Sequence, residues 1–192
     1  MAGEQGPSQE EVEAFVLAAH GDLDTVKRLH AREPALRDAR WRKFDESALE
    51  AASHMGRREI AAYLLDADAP PTIRAAAMLG QTAQVAAFLD EDPALARATG
   101  AHGIPALFHA ALGGRTEIAD LLVAHGDGDG AGAALHGVVK PGHTAMVVWL
   151  LDHGAGVDTP DYEGRTPLRV ALDSGHAEIA DLLRQHGAKE EI

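Results

Sequence analysis

An all-α solenoid of stacked helix pairs is the fold this sequence predicts, on three observations. The stretch Gly164 to Gly187, GRTPLRVALDSGHAEIADLLRQHG, reads as helix, tight turn, helix, glycine. Copies recur along the chain: the first branched or large residue after each glycine turn is Val26, Ile60, Val85, Ile118, Met146 and Ile179, at intervals of 34, 25, 33, 28 and 33. Hydrophobic residues make up 46% of the chain and aromatics 4%, so the core is mostly alanine, leucine and valine, which suits close helix stacking. One such pair cannot bury both of its faces, and an array of them forms one elongated unit whose core runs between neighbours.

Each element follows from local signals. Ser8 and Glu11 have the spacing of a capping box after Pro7, which predicts a first helix from near Gln9, behind a disordered segment over residues 1–9. That helix ends at Gly21, and an outer helix runs from Asp22 to about Arg32. A long connection follows, RDARWRKFDE, with Arg37, Arg40, Arg42 and Lys43 around Trp41 and Phe44. Ser47 and Glu50 repeat the capping spacing and open the second pair, whose outer helix carries Ile60, Tyr63, Leu64 and Leu65. Its exit, Asp66 to Pro71, is too short for a β-hairpin. The third pair, Thr72 to Asp90, has its glycine at Gly80, one residue earlier relative to Val85 than the template predicts, and Gly21 shows the same shift. The connection Asp92 to Ile104 is long, the connector Asp127 to Gly132 is short, and Gly156 to Gly164 is long again before Thr166-Pro167-Leu168 starts the last pair. A threonine cap with proline at the first helical position starts a helix without losing a paired N–H. Long and short connections therefore alternate, and three fingers are expected, two repeats apart.

At this point the chain resembles the ankyrin repeat family. Its T-P-L-H-x-A start and spacing of about 33 residues recur as Thr166-Pro167-Leu168 and Leu135-His136. Gly142-His143 and Gly175-His176 match in the turn, and Glu117 to Leu122 reappears as Glu178 to Leu183. The resemblance implies a single repeat domain over 10–189, a curved solenoid of six repeats at about 10–45, 46–71, 72–103, 104–130, 131–163 and 164–189. It also implies recognition of a protein partner through the concave face and finger tips, without catalysis.

Composition narrows the partner. Thirty acids against 17 bases give a net charge of −13, which repels nucleic acid and anionic membrane, so a neutral or basic protein or peptide is expected. The longest apolar run, Ala145 to Leu151, falls far below the roughly 18 to 20 residues that span a bilayer. The absence of cysteine excludes a disulfide framework and thiolate metal sites, and no signal peptide is evident at MAGEQGPSQEE. A soluble, cytoplasmic, monomeric protein without cofactor is the expectation.

The eleven histidines invite a metal or catalytic reading. Six fit the repeat: His143 and His176 follow the turn glycine, His125, His153 and His186 precede the closing glycine, and His136 occupies the T-P-L-H position, a structural hydrogen-bonding one in the family. His20, His30, His54, His102 and His109 remain. The template puts His54 and His109, and His20 subject to the glycine shift, on the groove face. Helices pack about 8 to 10 Å apart, so His54 and His109, two repeats apart, stand roughly 20 Å from each other and no shared three-histidine zinc site is expected. Asp127 and Asp129 resemble the start of a calcium loop, but position twelve falls on Val138 where a glutamate is needed. No nucleophile-elbow, zincin, Walker or Rossmann pattern occurs.

The partner-binding residues implied by position are Trp41, Arg42, Lys43 and Phe44 on the first finger, Thr99 to His102 on the second, and Asp161 with Tyr162 on the third. His54, Met55, Met78, His109, Leu112, Lys140 and Asp173 join them from the inner helices. Two readings of Trp41 and Phe44 stand side by side: hot-spot anchors, or fillers of the gap left by the missing second finger. The alternative of another class is a small-molecule site or atypical enzyme in a closed pocket around His54, His109 and Trp41.

Overall fold

The computed structural model describes residues 6–126, 131–161 and 163–189. Its helices come in six consecutive pairs: α1 (Gln9–Ala19) with α2 (Leu23–Arg32), α3 (Ala48–His54) with α4 (Arg58–Asp66), α5 (Ile73–Leu79) with α6 (Thr82–Glu91), α7 (Ala106–Gly113) with α8 (Thr116–Ala124), α9 (Ala131–Val139) with α10 (Thr144–Asp152), and α11 (Pro167–Asp173) with α12 (Ala177–Gln185). The first helices of successive pairs pack on one another from α1 through α11, and the second helices form the outer row. This is the all-α solenoid that the repeats predict.

The starts of the helices obey their sequence signals. Ser8 and Ser47 both close reciprocal capping boxes, with Glu11 and Glu50, and Thr72 and Thr166 each accept a hydrogen bond from a backbone N–H three residues on. Those bonds satisfy donors that the first turn would otherwise leave unpaired. The first finger is the sole sheet among the described residues: β1 (Arg40–Trp41) pairs antiparallel with β2 (Glu46–Ser47), Trp41 opposite Glu46. The exit from α4 makes no hairpin, as its length requires. The predicted connector at 127–132 lies largely outside the described residues, as do residues 1–5 of the N-terminal segment.

Two apolar clusters form the core and meet in α5. Phe15, Trp41, Leu49 and Leu64 belong to the N-terminal cluster together with Ala75 and Met78, whereas Ile73, Ala76 and Ala77 belong to the cluster that runs on to Leu183. The sides of α5 thus join the two halves of the stack.

Polar ties between repeats recur at one place. Arg57 Nε donates to the His20 carbonyl at 2.7 Å, His143 Nε2 to Leu112 O at 3.2 Å, and His176 Nε2 to Lys140 O at 3.0 Å. Each donor stands three residues before its outer-helix anchor, Ile60, Met146 or Ile179, and each acceptor is near the end of the preceding repeat's inner helix, where carbonyls lack intrahelical partners. The histidines before the closing glycines act within their own helices. His125, His153 and His186 donate Nδ1–H to the carbonyls of Leu121, Trp149 and Leu182, at 2.8, 2.7 and 2.9 Å.

At one glycine the stacking itself demands a missing side chain. A Cβ on Gly113 would stand 2.6 Å from the Ala77 carbonyl oxygen and 2.9 Å from that of Met78, so α5 and α7 approach backbone to backbone. Gly113→Ala gains up to about 1 kcal/mol of helix propensity but forces the two helices apart, at about 1–3 kcal/mol for overpacking. We expect a net loss of stability, read as a lower Tm. A Tm equal to or above the wild-type value would show that α5 and α7 slide without cost.

The register of the third repeat corrects one expectation. Gly80 ends α5 in the left-handed conformation, φ 78°, and the early glycine places Met78 in the core with 0% of its surface exposed. Met78 therefore offers nothing to a partner, and the half-buried Leu79 stands six residues before Val85, where His54, Leu112, Lys140 and Asp173 stand relative to their own anchors.

Candidate functional site

The inner helices and the third finger border a concavity of about 630 Å³, lined by His54 and Met55 at the end of α3, Phe108 of α7, His136 of α9 with Lys140 just beyond it, and Thr159 and Arg165 at the third finger. Met55, 41% exposed, projects from the cap of α3, and Leu112 lies half-buried beside it on α7. Lys140 is exposed. Asp173 is also exposed and holds Arg169 one turn back at 2.9 Å. Both ring nitrogens of His136 are buried without a hydrogen-bond partner among the described residues, unlike the bonded histidine that the T-P-L-H resemblance implies.

His109 does not face this groove. It is 2% exposed, and its Nδ1–H donates to the Pro105 carbonyl at 3.0 Å. Burial pushes its pKa from 6.5 down to about 4, against the carbonyl bond, which raises it; the nearby charge of Arg74 lowers it further. A neutral imidazole in the core is the result. The pocket uniting His54, His109 and Trp41 is therefore not formed: the concavity takes His54 and leaves the other two in the core.

The first finger is organised around a buried tryptophan. Trp41 is 8% exposed, stacks edge-on with Phe44 at 4.8 Å between ring centroids, and lies under the Lys43 ammonium, 5.7 Å from the ring centre. Gln9 of α1 grips the strand at both sides, donating to Arg40 O at 3.3 Å and accepting from Arg42 N at 2.9 Å. The basic patch is partly neutralised from within. Arg40 pairs with Asp45 at 2.7 Å and with Glu50 at 2.9 Å, and Arg74 reaches the same Glu50 at 2.9 Å. Arg42, Lys43 and Phe44 remain exposed, as does Thr99 on the second finger. On the third finger Asp161 is turned inward, accepting from the N–H groups of Glu163 and Arg165 and pairing with the Arg165 guanidinium at 2.9 Å; Tyr162 lies outside the described residues.

The fingers bring together a cluster that the sequence reading did not assemble. Glu46, on β2, is 1% exposed. His54 Nδ1 stands 3.2 Å from its Oε1 and His102 Nε2 stands 3.5 Å from its Oε2. Neither contact has the geometry of a hydrogen bond, and both carboxylate oxygens are otherwise without a partner among the described residues. The ring of His20, from the end of α1, meets His54 edge-on at 5.2 Å, and His102 does so from the other side at 5.5 Å. His20, Glu46 and His54 each present a ligand atom within 4.8 Å of the others. Burial lowers the pKa of His54 to about 4, helped by the neighbouring His20 and His102 and opposed by Glu50.

Two signals in the sequence point to this cluster. His20 and His54 each stand six residues before their outer-helix anchors, Val26 and Ile60, so they occupy equivalent positions on adjacent inner helices, about 8–10 Å apart. Glu46 precedes the capping Ser47, and helical side chains lean toward the N-terminus, so His54 leans back along α3 toward it. The approach of His102 carries no such signal. It depends on φ 60° at His102 within a short 3₁₀ turn, Ala101–Gly103, and on Phe44, whose ring lies 5.0 Å from that of His102.

No helix among the described residues is long and apolar enough to cross a membrane. Residues 127–192 match the family model described as ankyrin repeats (3 copies). Among curated proteins, the chain is similar to the potassium channel AKT3 of Oryza sativa subsp. japonica, 43% identical over 65 residues, covering 30% of this chain and 7% of the channel. It is similar to a transient receptor potential cation channel subfamily A member 1 homolog of Caenorhabditis elegans, 37% identical over 95 residues, covering 45% of this chain and 8% of that protein. A third relative is acyl-CoA-binding domain-containing protein 2 of Arabidopsis thaliana, 40% identical over 50 residues, covering 26% and 14%. The chain thus spans a small part of the length of each relative. Ankyrin repeats are thus detected over residues 127–192, in the pairs α9 to α12, and helix pairs of the same form are stacked from α1 onward.

Proposed function

We propose that this chain is a non-catalytic recognition module, acting as one cytoplasmic, monomeric unit over residues 10–189, that binds a protein or peptide through the inner-helix groove and the finger tips. The observation that supports it most directly is the form of the groove: a concavity of about 630 Å³ that is open to solvent, borders four inner helices and the third finger and includes the exposed Met55, with half-buried Leu112 close to Gly137 of its lining. Such a surface suits an extended segment that lays an apolar side chain against Met55, Phe108 and Leu112 with polar contacts at the rim. A net charge of −13 favours a partner that is neutral or basic overall. The small-molecule alternative loses support, because the site does not close around its target and His109, its candidate acid or base, is buried against Pro105.

The test is affinity capture from the native host with the wild-type chain and with a Met55→Asp/Leu112→Asp pair, read by mass spectrometry. A carboxylate in each apolar contact is expected to weaken binding at least tenfold, which is about 1.4 kcal/mol, at unchanged helix content. A captured set that is identical for both forms would place recognition elsewhere.

A further inference from the structure

We propose that His20, Glu46 and His54, closed over by His102, form a binding site for one divalent transition-metal ion of the class that imidazole and carboxylate ligate, with zinc as the representative. The proposal goes beyond the recognition reading and does not depend on it.

The carboxylate carries the argument. Glu46 is buried to 1% exposure with both oxygens lacking a hydrogen-bond partner among the described residues, and a buried carboxylate is costly unless a cation or a full set of donors meets it. The nearby guanidiniums are turned to other acids: Arg40 to Asp45 and Glu50, and Arg74 to Glu50. The imidazoles of His54 and His102 stand against its two oxygens. His54 Nδ1 stands 3.2 Å from Oε1 and His102 Nε2 3.5 Å from Oε2, and His20, Glu46 and His54 each bring a ligand atom within 4.8 Å of the others, so modest side-chain rotation would bring them to bonds of about 2.0–2.2 Å around one ion.

The support around the ligands has the same character. His20 donates Nδ1–H to the Val16 carbonyl at 2.9 Å, which fixes the tautomer and leaves the Nε2 lone pair free, as is usual for metal-binding histidine. Three imidazoles and one carboxylate form a borderline N/O donor set that suits zinc, cobalt, nickel or copper better than calcium or magnesium. The donors come from the end of α1, from β2, from the end of α3 and from the second finger, so the ion would pin two fingers to the first two repeats. A proton shared between Glu46 and an imidazole is the competing occupant.

The probe is Co²⁺, added to full-length, tag-free protein freed of metal with EDTA, and followed by calorimetry and visible absorption. One Co²⁺ per chain is expected, with the d–d bands of a low-coordinate nitrogen and oxygen site and a rise in Tm. Glu46→Gln and His54→Gln should each weaken binding at least tenfold. His20→Gln and His102→Ala, on less buried positions, give the same readout where the core variants fold poorly. His125→Gln, a histidine outside the cluster, should bind as wild type does. Absence of saturable one-to-one binding overturns the proposal, and so does a site of unchanged affinity in His20→Gln and His102→Ala.

Discussion

Trp41→Ala is expected to destabilise the N-terminal repeats by about 3–5 kcal/mol, while affinity for a partner, per folded molecule, stays unchanged. Tryptophan on an arginine-rich finger has the composition of a binding hot spot, but a hot spot must be offered to the partner, and Trp41 is 8% exposed. Its ring belongs to the cluster that holds Phe15, Leu49 and Leu64. Its backbone pairs with Glu46, and its neighbour Arg40 is held by Gln9. Removing the indole opens a cavity under the hairpin and takes away the ring on which Phe44 and Lys43 rest. Urea unfolding followed by circular dichroism reads the loss, with Trp149 left as the fluorescence reporter of the C-terminal repeats. An unchanged midpoint combined with weaker partner binding would return Trp41 to the recognition surface.

The first finger also shows what one sequence can and cannot disclose. Period, caps and connector lengths are local quantities, so Ser8, Ser47, Thr72, Thr166 and the short exit after Asp66 are readable without coordinates. Side-chain direction at a repeat boundary is a matter of one residue: the early Gly80 turns Met78 inward and leaves Leu79 in the place of His54 and Lys140. His109 was readable too. It stands four residues after the N-cap Pro105, and the residues four after Ser47 and Thr72 are Ala51 and Ala76. A histidine where neighbouring repeats carry a small buried residue signals the core. The arrival of His102 beside Glu46 and His54 was not readable, because fingers of irregular sequence meet through loop dihedrals that no periodicity encodes.

The same buried histidine gives the second large effect, a loss of stability on mild acidification. His109 has a folded pKa of about 4 against 6.5 for the exposed side chain, with burial as the leading cause. As pH falls through 6.5 the unfolded chain takes up a proton on this imidazole and the folded chain does not, so the unfolded state gains. Stability from a neutral His109 is thus fully present above pH 6.5 and is lost between pH 6.5 and 4, reaching about 2 kcal/mol by pH 5 and approaching about 3 kcal/mol at the lower end. The groups that act on the ring are Arg74 and His54, which hold its pKa down, and Glu50, which raises it. His54 shifts in the same direction, so the effect of His109 must be isolated by difference. Urea unfolding at pH 7 and pH 5, with EDTA present, should show wild type losing about 2 kcal/mol more than His109→Gln over that interval, because glutamine does not titrate. Equal pH dependence in the two proteins would mean that the folded state protonates His109 freely, and with it that the core between α5 and α7 admits water to the ring.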